Sequence, residues 1–213
     1  MVDLSVLLFI CIALPIAMML FVFRGQARIL MGFLLFGLTA CLLSAYLNTA
    51  AWHLLDSTKF YITVNVSPII EELAKMLPIL IFAFCFHPNR KNLIEAAVCC
   101  GLGFAILENA LIVAQNAASV SLLTALLRGI GAGMMHSLCT GAVACGLSLM
   151  AEKRKWFLTG TVALSVTAMT YHSLYNILVQ SEFPFLGVVL TVGTFAVVLL
   201  GGVILPKQKK NGD

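Results

Sequence analysis

A chain of 213 residues that is 61% hydrophobic and only 10% charged cannot clothe a water-facing surface, since a soluble domain carries about 25% charged residues. Lipid is therefore its solvent, and the length leaves room for one membrane domain and no sizeable soluble one. The net charge of +4 gives no reason to expect a nucleic-acid partner, because the basic residues fall in loop clusters of the kind that membrane topology requires.

Seven apolar runs, 4–23, 29–50, 66–86, 93–115, 122–150, 156–179 and 185–205, predict helices in chain order. The first is about 20 residues long, enough to span, and has neither a basic leader nor an Ala-x-Ala site, so it reads as a span and not a cleavable signal. Arg24 and Arg28 follow it; Asp56 and Lys59 follow the second run; Arg90 and Lys91 follow the third. The uncharged Asn116–Ser121 stretch follows the fourth. The fifth is long enough to tilt or protrude and precedes Lys153, Arg154 and Lys155. Glu182 follows the sixth, and Lys207, Lys209 and Lys210 follow the seventh. Basic loops thus alternate with neutral or acidic ones, which predicts an N-terminus outside and a C-terminus in the cytoplasm. The expected fold is all-α: a polytopic transmembrane helical bundle of seven spans, one membrane-embedded domain over residues 1–213, with short loops that pack consecutive helices antiparallel.

Within the fifth run, Gly129, Gly133, Ser137, Gly141 and Cys145 recur every four residues, which predicts a stripe for close helix approach. The seven cysteines all lie in or at the ends of apolar runs, and none shows Cys-x-x-Cys spacing. They read as packing residues.

Ionisable residues inside spans are the informative ones, because each costs about 2.5–3.5 kcal/mol at a span centre. Run three carries Glu71, Glu72 and Lys75; run four Glu108 and Asn109; run five Arg128 and His136; run six His172 and Asn176. Measured from the outer ends of their runs, Glu71, Glu108 and His172 all lie roughly 8–11 Å deep at 1.5 Å per residue. His136 joins them if the membrane begins near Arg128. Glu71 and Lys75 are four apart and share a helix face, whereas the adjacent Glu71 and Glu72 point about 100° apart and serve different roles. Arg128 reads as a snorkelling residue, Asn109 and Asn176 as interhelical hydrogen-bonding residues, and Phe104 as core.

Carboxylates and imidazoles in one water-accessible pocket suit general-base activation of water, with a histidine or amide stabilising an oxyanion. The same groups suit a divalent metal with an open position, although no HExxH motif is present. The intramembrane Glu, Lys and His also fit a proton- or ion-coupled transporter, and a non-catalytic membrane chaperone or immunity protein is a third reading.

Glu71-Glu72-Leu-Ala-Lys75, Phe104-x-x-x-Glu108-Asn109, Arg128 with His136, and His172-Ser-Leu-Tyr175-Asn176, in this order on four successive runs, are similar to the PrsW intramembrane protease family, within a superfamily of CAAX prenyl endoproteases and bacteriocin-processing proteins. The resemblance covers roughly residues 65–180. It implies an endopeptidase of the bacterial cytoplasmic membrane that cleaves single-span, anti-sigma-factor-like substrates near the extracytoplasmic face. It implies that Glu71 or Glu72 activates water, that Glu108, His136 and His172 complete the catalytic cluster, and that Asn176 donates to the oxyanion. Either no cofactor or a divalent metal such as zinc fits; in the metal case Glu108, His136 and His172 are the expected ligands. The His-x-x-x-Asn pattern leans toward the metal-independent, glutamic branch. Asn176 stands where an aspartate is often seen, and the aromatic that often follows Asn109 is missing, which leaves the substrate more open than the reaction.

Overall fold

A computed structural model describes residues 3–152 and 154–204. Lys153 and Lys207, Lys209 and Lys210, on which the orientation expectation partly rests, lie outside the described residues.

Every described element is helical. Helix α1 spans Leu4–Val22 and starts at Asp3, whose carboxylate caps the Ser5 N–H. Helix α2, Gly25–Leu55, has 31 residues, roughly 46 Å at 1.5 Å each and so longer than a bilayer core. The single turn α3, Lys59–Tyr61, runs into a π-helical turn at Ile62–Val66 and on into α4, Ser67–Phe86, whose Pro68 sits in the first turn. Proline, which has no N–H to give, is tolerated there because the Thr63 carbonyl, five residues back on the π-helical turn, accepts from the Asn176 amide instead. Helix α5 spans Arg90–Gln115 behind the capping side chain of Asn89. Helices α6, Leu122–Glu152, α7, Arg154–Val179, and α8, Phe185–Ile204, complete the bundle.

The molecule is an all-helical, multi-pass membrane bundle. Among the described residues five helices, α1, α2, α5, α6 and α7, are long and apolar enough to cross a membrane, where the sequence runs predicted seven spans. Helix α4 departs because its 20 residues include Glu71, Glu72 and Lys75. In α8 the apolar stretch Phe185–Gly201 is short. Large apolar side chains such as Leu14, Phe21, Leu54, Leu122 and Val197 remain exposed, which suits contact with lipid far better than contact with water.

Helix α5 packs along α2 on one side and α6 on the other, and α7 packs along α6; α4 turns its polar face to α2, α5, α6 and α7 and leaves Leu73, Leu77 and Ile81 exposed on the other. Its charged residues thereby reach the centre of the bundle and not the lipid. Beneath them lies a core of Ile79, Ala83, Cys100, Met135, Cys139 and Val143, and a second core of Leu38, Cys41, Leu107 and Leu111 joins α2 to α5. All seven cysteines are free.

The predicted small-residue stripe on α6 is a close approach over only part of its length: α5 meets it at Ser137, whose Cα would be 2.9 Å from a Cβ on Gly101, and at Gly141, whose Cβ would touch Val98 at 3.6 Å. A side chain at Gly129 or Gly133 would meet nothing, whereas one at Gly37 would overlap the Cys100 carbonyl, and one at Gly101 would collide with the His136 backbone. Glycine is required where backbones meet: at Gly37 of α2, at Gly101 and Gly103 of α5, and at Gly146 of α6, whose Cβ would stand 2.8 Å from the Thr161 Cα. The Gly101 approach also sets the position of His136.

Candidate active site

Glu71 and Glu72 occupy the second turn of α4, and their 100° separation divides them as expected. Glu72 points into the bundle and is 2% exposed. Its Oε1 accepts from Lys75 Nζ at 2.6 Å and from His172 Nδ1 at 2.8 Å. Lys75 therefore pairs with Glu72, three residues back, and not with Glu71, four back: the ammonium bends to the inner carboxylate. Lys75 is fully buried, lies 4.7 Å over the Phe104 ring and donates to His136 Nδ1 at 2.8 Å. Phe104, beyond filling core, thus floors both Lys75 and His136, whose ring centroid lies 4.7 Å from its own.

Glu71 faces a cavity of about 360 Å³ that Glu108, Arg128, Tyr175 and Asn176 also line, with Lys59, Asn116 and Gln180 among its other walls. Those last residues sit by the loops that join α2 to α4, α5 to α6 and α7 to α8. Glu71 Oε1 accepts from the Asn48 amide at 3.1 Å. Among the described residues its Oε2 has no hydrogen-bond partner; it lies 3.6 Å from His172 Nε2, which has none there either.

Glu108 Oε2 is 3.3 Å from His136 Nε2 and 3.4 Å from Arg128 Nη2. Arg128 thus folds back onto a carboxylate instead of only snorkelling outward. The rings of His136 and His172 meet edge to face at 5.0 Å. Asn109 donates to the Arg128 carbonyl at 3.4 Å and Asn176 to the Thr63 carbonyl at 2.9 Å, so both asparagines act as hydrogen-bonding links between helices. The second one fastens the π-helical turn that leads into α4.

The five titratable residues expected to share a depth, Glu71, Glu72, Glu108, His136 and His172, form one connected cluster. Asn176 stands one turn further along α7 and lines the same cavity. Asn48 was missed by sequence reading; its only signal was a lone amide inside the second apolar run. Tyr175, quoted within a motif, drew no role.

The donor set fits a cation. Glu71, His136 and His172 each bring one ligand atom to within 4.8 Å of the others. Glu71 Oε2 and His172 Nε2 are buried acceptors facing each other, an arrangement that repels unless something positive lies between them. Glu72 fixes the His172 tautomer by taking the Nδ1 proton, which leaves the Nε2 lone pair aimed at the gap; carboxylate–histidine pairs do this at metal sites. Three carboxylates against Lys75 and Arg128 also leave one formal negative charge when both imidazoles are neutral. His136 is the least ready of the three, since Lys75 donates to its Nδ1 and so keeps the ring proton on Nε2, toward Glu108. The group that gathers contains Glu71 beside the two histidines, where the sequence reading had Glu108.

Residues 25–201 match the family described as PrsW family intramembrane metalloprotease. No curated protein and no solved structure is significantly similar to the chain. The family's description as metalloproteases and the gathered Glu71, His136 and His172 favour the metal-dependent alternative over the leaning toward a metal-independent mechanism.

Proposed function

Because the chain belongs to the PrsW family of intramembrane metalloproteases, we propose that it cleaves membrane-anchored, single-span protein substrates near the extracytoplasmic face, with Glu71, His172 and His136 holding a divalent metal. The family and the Glu71–His136–His172 group carry the metal-dependent proteolytic mechanism itself; the substrate class, the face and the individual roles are our reading. A divalent metal so held supplies Lewis-acid activation of water and of a peptide carbonyl.

The protein's own groups divide the remaining work. Glu72 orients His172 through Nδ1 and neutralises Lys75. Asn48 holds Glu71 by Oε1 and leaves Oε2 turned to the gap. Glu108 lines the cavity and has its Oε1 outside the bonds to His136 and Arg128; that oxygen accepts the proton of the attacking water and returns it to the leaving amine. Arg128 holds the other oxygen, Oε2, of the same carboxylate. Asn176 retains a second amide N–H beyond the one given to Thr63, and it serves as oxyanion donor. The core beneath the cluster excludes water from the other side.

The single observation that carries this reading is the unpartnered pair, Glu71 Oε2 and His172 Nε2, at 3.6 Å. Quantitative membrane proteomics of a strain lacking the protein tests it. A single-span precursor should accumulate and be cleaved again when the unsubstituted protein is restored, but not when Glu71→Gln is restored. If no membrane-anchored protein changes, or if Glu71→Gln restores cleavage, the reading fails.

A further inference from the structure

At the end of α4 away from Glu71 lies an apolar groove of about 360 Å³, across which Gly32, Phe33 and Phe36 of α2 face Pro78, Phe82 and Phe86 of α4. Its phenyl rings form one ladder: Phe36 meets Phe33 edge to face at 5.6 Å, Phe33 meets Phe82 at 4.9 Å, and Phe82 meets Phe86 at 5.8 Å. Phe33 is buried, whereas Phe36 and Phe86 are exposed, so the ladder descends from the rim to the floor. Rings packed in this way hold one another in place, and the volume falls within the range of pre-formed ligand sites, about 300–1,000 Å³. Gly32 leaves the groove open, since a Cβ there would meet nothing within 4 Å.

Along α4 the groove runs from Phe86 back to Pro78, roughly 12 Å at 1.5 Å per residue, which is most of one leaflet of a bilayer core about 30 Å thick. Arginines stand at its loop end. Arg28 precedes Gly32 by one turn on the same face of α2, and a side chain there leans toward the helix N-terminus, beyond the groove and toward the membrane surface. Its Nε donates to the Phe23 carbonyl at 2.8 Å. That bond fixes the guanidinium and leaves both Nη groups at an exposed position. Arg24, also exposed, caps the same helix, and Arg90 and Lys91 open α5 at this end of the bundle. The nearby Glu95 is turned to Lys91 at 3.6 Å and to the Gln26 amide at 3.1 Å, and not to Arg28.

We propose that this groove holds an acyl chain of one anionic phospholipid, whose phosphate lies against Arg28 and Arg24. Every side chain along the groove is apolar, so a chain fits it and a polar ligand does not; the arginines beyond its end then choose the headgroup. Basic pockets between transmembrane helices take anionic headgroups in this way, and each Lys or Arg near the membrane surface adds an attraction that a zwitterionic lipid with the same chains lacks. The site stands apart from the protease reading but bears on the same helix. Pro78 follows Lys75 by three residues on α4 and removes one of its hydrogen bonds, and a lipid chain packed there braces the helix that carries Glu71 and Glu72. Phe33 joins the groove to the core of Ile79, Ala83 and Cys100 beneath the catalytic residues.

The test titrates full-length protein in detergent with dioleoylphosphatidylglycerol or dioleoylphosphatidylcholine, which share their chains and differ in headgroup charge, and reads retained lipid by native mass spectrometry. The phosphatidylglycerol should be held about tenfold more tightly, the order expected of two arginines near one phosphate. Arg24→Gln with Arg28→Gln should bring the two lipids level. Arg154→Gln with Lys155→Gln, at the start of α7, should leave the preference intact. Gly32→Leu, whose side chain is built into open space, should lower retention of both lipids. Independently of these variants, benzoylphenylalanine in place of the exposed Phe36 should cross-link to phosphatidylglycerol in nanodiscs that contain it. The proposal is overturned by equal retention of the two lipids in the unsubstituted protein, by a preference that survives loss of Arg24 and Arg28, or by one that falls as far with Arg154 and Lys155. Undiminished retention in Gly32→Leu overturns it too, as does a cross-link from position 36 to a second copy of the chain in place of lipid.

Discussion

His172 Nε2 and Glu71 Oε2 lie 3.6 Å apart, both buried and neither with a hydrogen-bond partner among the described residues, while the other nitrogen of the same imidazole is fixed by Glu72 at 2.8 Å. One histidine thus joins the two adjacent glutamates of α4 and gives them unlike tasks. Metal content separates those tasks from the chemistry. Protein purified without chelator should carry one equivalent of a divalent metal by mass spectrometry, and His172→Ala should lose it. Strong chelator should remove activity, and zinc should restore it. Full activity in chelator, with no stoichiometric metal, would return the mechanism to glutamate and histidine alone.

Glu108→Gln should behave differently. It keeps shape and removes the proton acceptor, so cleavage should fall by about 10²–10⁴-fold, the usual contribution of a general base, while metal content stays near one equivalent. Loss of metal in Glu108→Gln would make this residue a ligand, as the sequence pattern first indicated.

Glu72→Leu should act through stability. It leaves Lys75 buried without its carboxylate, and breaking a buried pair from one side costs on the order of 3–5 kcal/mol. The melting temperature in detergent should drop sharply along with activity, whereas Glu71→Gln should melt close to the unsubstituted protein. Equal melting of the two variants would show that Glu72 is not the structural partner of Lys75. Asn48→Ala should lower kcat more than it changes KM, since it releases Glu71 and leaves the rest of the chamber in place.

The fold was readable because lipid imposes a simple rule: apolar runs of helical length stand out against loop charges. The site was readable because Glu71, Glu108 and His172, counted inward from the outer ends of their runs, reach one depth. What escaped lies in rotation and lateral packing, on which depth is silent. The sequence could say that Glu71 and Glu72 diverge but not which one turns inward, nor that Lys75, on the Glu71 face by spacing, bends to Glu72. The α6 stripe was legible only in part for the same reason: Ser137 and Gly141 meet α5, Gly129 and Gly133 face open space, and the tightest approaches, at Gly37 and Gly101, lie off the stripe. Asn48 matters through Glu71, which stands on another helix.

Topology carries its own test. Reporter fusions after Arg90, Ala118, Arg154 and Glu182 should report inside, outside, inside and outside in turn. That order follows from the alternating basic loops, and it puts the cavity mouth beside Asn116 and Gln180 on the outer face. A cytoplasmic reporter at 118 would reverse the face from which substrate is cleaved.

The most direct measurement is cleavage of a co-expressed single-span substrate, identified by its accumulation in cells lacking the protein, read by immunoblot in cells carrying Glu71→Gln. This change leaves the shape of α4 and the Glu72–Lys75 pair in place and alters only the carboxylate that faces His172 across the gap. With the variant present in the membrane at normal amount, cleavage should be abolished and the uncut precursor should persist. Cleavage at the unsubstituted rate would contradict a proteolytic centre at Glu71 and His172.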